Sequence, residues 1–341
     1  MVKHPRIRLS TLWLLAASAT VTAHHSGLYD DNDVVEVAGT ITSVAWINPH
    51  VTIKLESTSA GGQIERWQVE GTSVNALQRW GIARDMFRVG DRIAVTGPRS
   101  LFGRNTMIAA TAVLADGEQV VLWPNVAARL GLADTGVQGL FPPPGDVDTG
   151  QAQGIFRIWT PRGRPRTSLD ELPLTASARE AQAAYRALDD DPALSCIPPG
   201  MPVMLGTPYP VEFVDDGDEI IMRFEEWDGL RTIYMQAGTD RPIVDHSPKG
   251  VSVGRWEGET LAIFTTNIDY PYSNDLGTPQ STAVTVLERY TPNDDDSRLD
   301  WEVTVTDAAT FSEPVVTRGY MAWEPGEEIK AFNCTLLDVA E

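Results

Sequence analysis

The second half of the chain consists of short runs in which apolar and polar residues alternate, separated by turn residues. From residue 202 onward nine runs have this pattern: 211–214, 219–226, 231–236, 251–256, 261–266, 283–290, 299–306, 314–323 and 328–334. A period of two is typical of β-strands, and connections such as Glu257-Gly258-Glu259 are short enough for hairpins. Eight or nine antiparallel strands over this length predict a closed barrel or a sandwich.

The first half of the chain predicts a second, smaller β domain. Three alternating runs are followed by a short helix that Thr72 or Ser73 can cap and that Gly81 ends, and two further runs complete the set: 34–44, 51–56, 64–69, 93–95 and 106–114. Three strands, a helix and two strands is the order of an OB-type barrel. We therefore predict a mainly β protein with an OB-like five-stranded barrel and an antiparallel, lipocalin-like barrel after it.

The first 23 residues have the pattern of a signal peptide. Lys3, Arg6 and Arg8 form a positive region, residues 12–19 are apolar, and the small residues of 21–23 form a cleavage site. We predict a periplasmic or secreted protein without a stable membrane span, since no later apolar run is long enough to cross a bilayer. The predicted layout is signal peptide 1–23, OB-like domain 24–122, linker with one short helix 123–199, and barrel domain 200–341.

The charge of the chain excludes one class of partner. It contains 27 Lys and Arg against 47 Asp and Glu, a formal net charge of −20. Such a chain repels phosphate backbones, so we expect no nucleic-acid partner. The sequence does not indicate an oligomeric state.

The chain has two cysteines, Cys196 and Cys334. In an oxidising compartment an even pair predicts a disulfide bond, which would join the entry of the second domain to its end. The alternative is a pair of buried free thiols.

Three of the five histidines lie close together in the sequence, which suggests a metal site. If the signal is cut after Ala23, the amine and ring of His24 could bind copper together with the ring of His50. A second set, His25, His50 and the carboxylate of Glu70, would suit zinc. The alternative is a frayed terminus and a loop histidine without a ligand.

The second barrel is rich in aromatic residues, and this predicts a binding site for a small apolar or aromatic molecule. Its candidate ligand-binding residues are Trp256, Tyr234, Trp301 and Arg223. The alternative is that these rings fill the core and the charges form surface ion pairs, as in a purely structural envelope protein.

Charged residues in the same strands suggest a rival function. His246, Arg231 and Glu225, if they face one cavity, could perform acid–base chemistry such as an isomerisation, dehydration or cyclisation. The motifs of common hydrolases, metalloproteases, kinases and dehydrogenases are not found in the sequence, so those enzyme classes have no support.

Several motifs carry a family resemblance. The His24-His25-Ser26 opening, the strand 39–44, Trp46-x-Asn48-Pro49-His50 and Trp67-x-x-Glu70 resemble a family of secreted bacterial proteins of unknown function, over roughly residues 24–122. Residues 190–334 resemble a second uncharacterised bacterial family, through the segments 196–202, 208–210, 252–261 and 288–290. The Gly254-x-Trp256 hairpin is also similar to lipocalin-like barrels. These resemblances imply the domain layout and no activity.

Overall fold

The structure is a computed structural model that describes residues 29–134, 141, 154–162, 172–187, 189–235 and 245–336. Within these residues no helix is long and apolar enough to cross a membrane. The described chain forms two closed β-barrels, which confirms the predicted fold class.

The first barrel has five strands that close on themselves in the order β1-β2-β3-β5-β4. All neighbours are antiparallel except β3 and β5, which run parallel. Two short strands, β6 and β7, extend the sheet beyond β4. The bounds are β1 Tyr29–Ala45, β2 Thr52–Thr58, β3 Ile64–Glu70, β4 Arg92–Ser100, β5 Thr106–Ile108, β6 Thr111–Val113 and β7 Gln119–Val121. This is the predicted OB-like order.

Helix α1 (Val74–Arg79) lies between β3 and β4, where the sequence predicted it. The Ser73 hydroxyl caps it by accepting a hydrogen bond from the backbone N–H of Ala76 at 3.0 Å, and Gly81 follows its end with a positive φ of 73°. Gly97 lies where β4 approaches β5, and a Cβ atom there would be 1.9 Å from the carbonyl oxygen of Ile108. A larger residue at Gly97 would therefore prevent this approach.

The second barrel has nine strands that close in the order β10-β11-β12-β13-β14-β15-β16-β8-β9. The bounds are β8 Ile158–Arg162, β9 Val211–Asp215, β10 Glu219–Phe224, β11 Gly229–Tyr234, β12 Val251–Glu257, β13 Thr260–Thr266, β14 Thr285–Pro292, β15 Arg298–Thr306 and β16 Val315–Trp323. Helices α2 (Pro124–Arg129) and α3 (Ala176–Ala184) precede most of these strands. A separate apolar core fills each barrel.

Four details of the second barrel differ from the prediction, the first being that the predicted run 328–334 forms no strand. The pair β11–β12 is parallel, and about sixteen residues separate the two strands in the sequence, which is enough for the crossover connection that parallel neighbours need. Strand β8 comes from the predicted linker, where a short strand among Pro, Gly and Arg residues has too little pattern to be recognised; it is held by pairing with both β16 and β9. The predicted linker also contains two helices, α2 and α3, instead of one.

Candidate functional site

His50 and Glu70 lie side by side at one end of the first barrel. His50 is on the turn before β2, and Glu70 ends β3 opposite Thr52 of β2. The Nδ1 atom of His50 contacts the Glu70 carboxylate, and the hydroxyl of Tyr29 donates to the other carboxylate oxygen at 3.2 Å. The side chains of His50 and Glu70 keep 22% and 17% of their exposure, so a small solute can reach them.

Tyr29 and Trp123 are the aromatic neighbours of this pair. Burial raises the pKa of Tyr29, and the charge and hydrogen bond of Glu70 raise it further, so the Tyr29 hydroxyl stays protonated and donates. A proton on Nδ1 of His50 that faces Glu70 leaves the lone pair on Nε2, which is the tautomer that a carboxylate selects in many metal sites. The Trp123 ring lies 5.0 Å from the His50 ring, centroid to centroid, and limits how it can rotate.

The turn that carries His50 is anchored from both domains. The buried side chain of Asn48 accepts from the backbone N–H of Val74 at 2.9 Å and donates to Asn75 at 2.9 Å. The same Nδ2 atom donates to the carbonyl oxygen of Phe332, and the backbone carbonyl of Asn48 accepts from Thr335 at 2.9 Å. The peptide bond between Asn48 and its proline is cis. Segment 330–335 of the second domain therefore holds the turn next to His50.

A buried ion cluster adds to the contact between the domains. Arg79 of α1 makes a two-pronged bond with Glu225, with both N–O distances 2.7 Å, and also binds Glu327, with a nearest distance of 2.7 Å. The Glu225 side chain is fully buried, and those of Arg79 and Glu327 keep 6% and 12% of their exposure. Burial alone would lower the pKa of Arg79, but its bonds with Glu225 and Glu327 outweigh burial and raise that pKa, so Arg79 stays charged.

A family model matches the first part of the chain. Residues 12–108 match the model of DUF6152, a family of unknown function. The match ends with β5 and includes His50 and Glu70, so the expected family of uncharacterised proteins is supported for this part of the chain. No curated protein matches the chain. The resemblance of residues 190–334 to a second family stays a prediction.

Two members of the predicted metal sets, His50 and Glu70, are thus in contact. His24 and His25 are outside the described residues. Among the described residues there is no group of three or more His, Cys, Asp or Glu side chains that could hold a metal ion. His50 and Glu70 are the two members of the predicted sets whose positions the structure describes.

The predicted catalytic residues are not brought together. Arg231 lies inside the second barrel, His246 lies in an exposed loop, and Glu225 faces Arg79 of the first domain. Glu225 comes one residue after the end of β10, where a 3-10 turn (Glu226–Asp228) begins, so the alternation of the strand no longer decides where it points. The cluster that the sequence suggested is therefore divided among three environments.

Inside the second barrel Arg231 donates four hydrogen bonds to polar side chains, and it contacts the Met222 sulfur at 3.7 Å. It makes two bonds with Glu288 at 2.6 and 2.8 Å and donates to Ser252 at 2.9 Å and to Thr265 at 2.7 Å. The hydroxyl of Tyr290 donates to Glu288 at 3.0 Å. Glu288 was not among the predicted site residues, although it alternates in step with the buried residues Val286 and Tyr290 along β14. These polar groups fill part of the barrel interior.

The predicted ligand-binding residues do not line one pocket either. Arg223 is exposed and pairs with Glu212 at 2.6 Å, which is the surface ion pair considered as the alternative. Trp256 is 45% exposed, and Tyr234 is half-buried at the end of β11. Trp301 covers Gly319 on the neighbouring strand. Neither the apolar pocket nor the catalytic cluster is thus assembled from the residues that were chosen for it.

The predicted disulfide bond is confirmed. Cys196 and Cys334 are joined with a Cα–Cα distance of 5.8 Å over a sequence separation of 138 residues. Cys334 also pairs with Asn48 in an isolated β-bridge. The bond therefore ties the segment that anchors the Asn48 turn to the start of the second domain.

Proposed function

We propose that this is an exported metal-binding protein whose copper or zinc site is built around His50 in the first barrel. The observation that carries the proposal is the contact of His50 Nδ1 with the Glu70 carboxylate. Metal-binding histidines commonly donate their second ring nitrogen to a carboxylate, which orients the ring and makes the ligand nitrogen more basic. Glu70 then serves as the orienting partner, and Nε2 of His50 as the ligand atom.

The position of Tyr29 supports a contribution from the predicted N-terminal histidines. Tyr29 is hydrogen-bonded to Glu70, and His24 and His25 precede it by only five and four residues. An extended chain spans about 3.3–3.6 Å per residue, so both histidines are attached within about 18 Å of the Tyr29 backbone. The amine and ring of His24 with the ring of His50 would suit copper, whereas His25 and His50 with an oxygen ligand would suit zinc.

Metal content and metal affinity of the protein purified from the periplasm test this proposal. N-terminal sequencing should find His24 as the first residue, and elemental analysis should find about one copper or zinc ion per chain. We expect His50→Ala to weaken metal affinity by more than about 100-fold in a chelator competition, and Glu70→Gln by about 10–100-fold.

Two further variants make the test specific. His246→Ala removes an exposed histidine from the second domain and should leave the affinity unchanged. One glycine inserted before His24 turns its amine into an amide, so it should abolish the copper arrangement and spare the zinc arrangement. Wild-type affinity in the His50→Ala protein would refute the proposal.

Binding of a small apolar or aromatic molecule inside the second barrel has less support. The Arg231–Glu288 network and tightly packed rings such as Phe213 and Tyr290, 5.1 Å apart, occupy the interior between the strands. The enzyme alternative loses its main argument because His246 and Glu225 do not face Arg231. Metal binding is therefore the function that the geometry favours.

A further inference from the structure

The bond between Cys196 and Cys334 ends beside the turn that carries His50. Cys334 forms an isolated parallel β-bridge with Asn48, which lies two residues before His50. The next residue, Thr335, donates its backbone N–H to the carbonyl oxygen of Asn48 at 2.9 Å. The covalent bond and the hydrogen bond to the turn are therefore one residue apart in the chain, so a displacement of Cys334 is passed on to Asn48.

His50 lies between an anchor in its own domain and this anchor to the second domain. On one side, the backbone carbonyl of Val51 accepts from the N–H of Gly71, the residue after Glu70, at 2.8 Å. On the other side, a single proline separates His50 from Asn48, and its ring fixes one of the backbone angles between them. The position of the His50 ring against Glu70 therefore depends on where the Asn48 turn is held.

The residues before Cys334 are held by contacts that do not involve the disulfide. The Phe332 side chain is buried, and its backbone N–H donates to the Asp228 carboxylate at 2.8 Å. Opening the disulfide therefore releases Cys334 and Thr335 from the start of the second domain and leaves Phe332 in place. We expect a partial loosening of the turn, because the side-chain bond of Asn48 to Phe332 persists while its backbone bond to Thr335 does not.

A dithiol reductant can reach the disulfide. Both cysteines are half-buried, and apolar residues that flank them are exposed: Leu194 by 41%, Ile197 by 52% and Leu336 by 56%. One thiolate of the reductant attacks a sulfur of the bond, forms a mixed disulfide with that cysteine and releases the other cysteine as a thiol. The second thiol of the reductant then displaces the first cysteine. The reductant leaves as a disulfide, and the protein has gained two electrons and two protons as two thiols.

We propose that the Cys196–Cys334 bond is a redox control on the His50 site, which binds metal more tightly while the bond is closed than after a dithiol has reduced it. This control acts on the metal site proposed above and rests on that function. A metal binds the conformers in which the His50 ring is correctly placed, so its apparent affinity falls with their population. Glu70 orients the ring while the turn holds it within reach, and reduction lowers the population of that arrangement.

Metal affinity with and without the disulfide tests this control. Replacing Cys196 and Cys334 together by serine opens the bond without a reductant and without free thiols, which would themselves bind metal. Copper(II) and zinc are each titrated into the signal-cleaved full chain in competition with a chelator. We expect the double serine variant to bind about three- to tenfold more weakly than wild type. Equal affinities would overturn the control, whereas a wild-type protein that binds neither ion would refute the proposed function on which the control depends.

Two variants at one position test the same step with the disulfide intact. Thr335→Pro removes the backbone N–H that donates to Asn48, so it should also weaken metal binding by about three- to tenfold. Thr335→Ala is the matched control, because it keeps that N–H and should bind metal like the wild type. If the double serine variant fails to fold, the comparison of Thr335→Pro with Thr335→Ala decides the question, and equal affinities of these two proteins would overturn the control.

The position of the His50 ring can also be measured without any metal. Long-range proton–nitrogen NMR spectra report which ring nitrogen carries the proton, and His50→Ala identifies the signals of His50. In wild type the proton should lie on Nδ1, which faces Glu70, and the Nδ1-protonated fraction should fall in the double serine variant. A loss of overall stability leaves the spectrum of the molecules that remain folded unchanged, so this measurement is specific to the position of the ring. Identical His50 signals in the two proteins would overturn the proposal.

Discussion

Replacing Arg79 by alanine should destabilise the protein much more than breaking an ordinary surface ion pair does. The substitution leaves Glu225 fully buried without its charged partner, while Glu327 loses its partner as well. Among the described residues Glu225 then keeps two neutral donors, the Asn75 amide at 3.1 Å and the Lys330 N–H at 3.0 Å. Removing one partner of a buried ion pair lowers the free energy of unfolding by about 3–5 kcal/mol, because the remaining charge stays buried away from water.

Arg66→Ala is the matched control in the same domain. Arg66 also pairs with a glutamate, Glu56 at 3.1 Å, but the two side chains are 83% and 40% exposed. Water and salt weaken such a pair, and its removal costs about 0–1 kcal/mol. The difference between the two variants should therefore be at least about 2 kcal/mol in the free energy of unfolding.

Urea denaturation followed by tryptophan fluorescence measures both variants, and limited proteolysis of segment 324–335 reports whether the contact between the domains opens first. Arg79→Lys is an informative third variant, because it keeps the charge but loses the two-pronged geometry, so it should lie between wild type and Arg79→Ala. If Arg79→Ala costs no more than Arg66→Ala, the ion cluster does not stabilise the folded protein and our reasoning about its burial is wrong.

Two further predictions concern the second domain. Thiol titration of the unfolded, unreduced protein should find no free thiol, and replacing Cys196 and Cys334 by serine should cost about 5 kcal/mol in the chain-entropy model for a closed loop of this length; two free thiols per chain would contradict the bond. Asp307 is buried, which by itself raises its pKa, but hydrogen bonds from Ser281, Thr310 and Ala309 outweigh burial and lower that pKa. Asp307 therefore stabilises the fold above a pH of about 4 and loses this effect as the pH falls through its lowered pKa. The difference in unfolding free energy between wild type and Asp307→Asn, measured in urea, should shrink at acidic pH. A difference that does not change with pH would contradict this role of the Asp307 carboxylate.

The sequence by itself determined the parts of the fold that depend on local pattern. Alternation gave most strands of both barrels, and Ser73 and Gly81 marked the ends of α1, because capping and glycine conformations are local properties. The disulfide followed from cysteine number and the predicted compartment. His50 and Glu70 were named in one predicted set because imidazole and carboxylate groups are zinc ligands.

Only the tertiary structure decided which charged side chains meet. Arg79 and Glu225 are 146 residues apart and Arg231 and Glu288 are 57 apart, and no local pattern specifies such pairs. The parallel pairing of β11 with β12 and the recruitment of β8 likewise depend on barrel closure, which satisfies the edges of distant strands. Glu225 does not face Arg231, because a 3-10 turn begins directly after Glu225 and the alternation of β10 no longer sets the direction of its side chain. Periodicity places a residue on a face of its own strand, but only packing decides what that face meets.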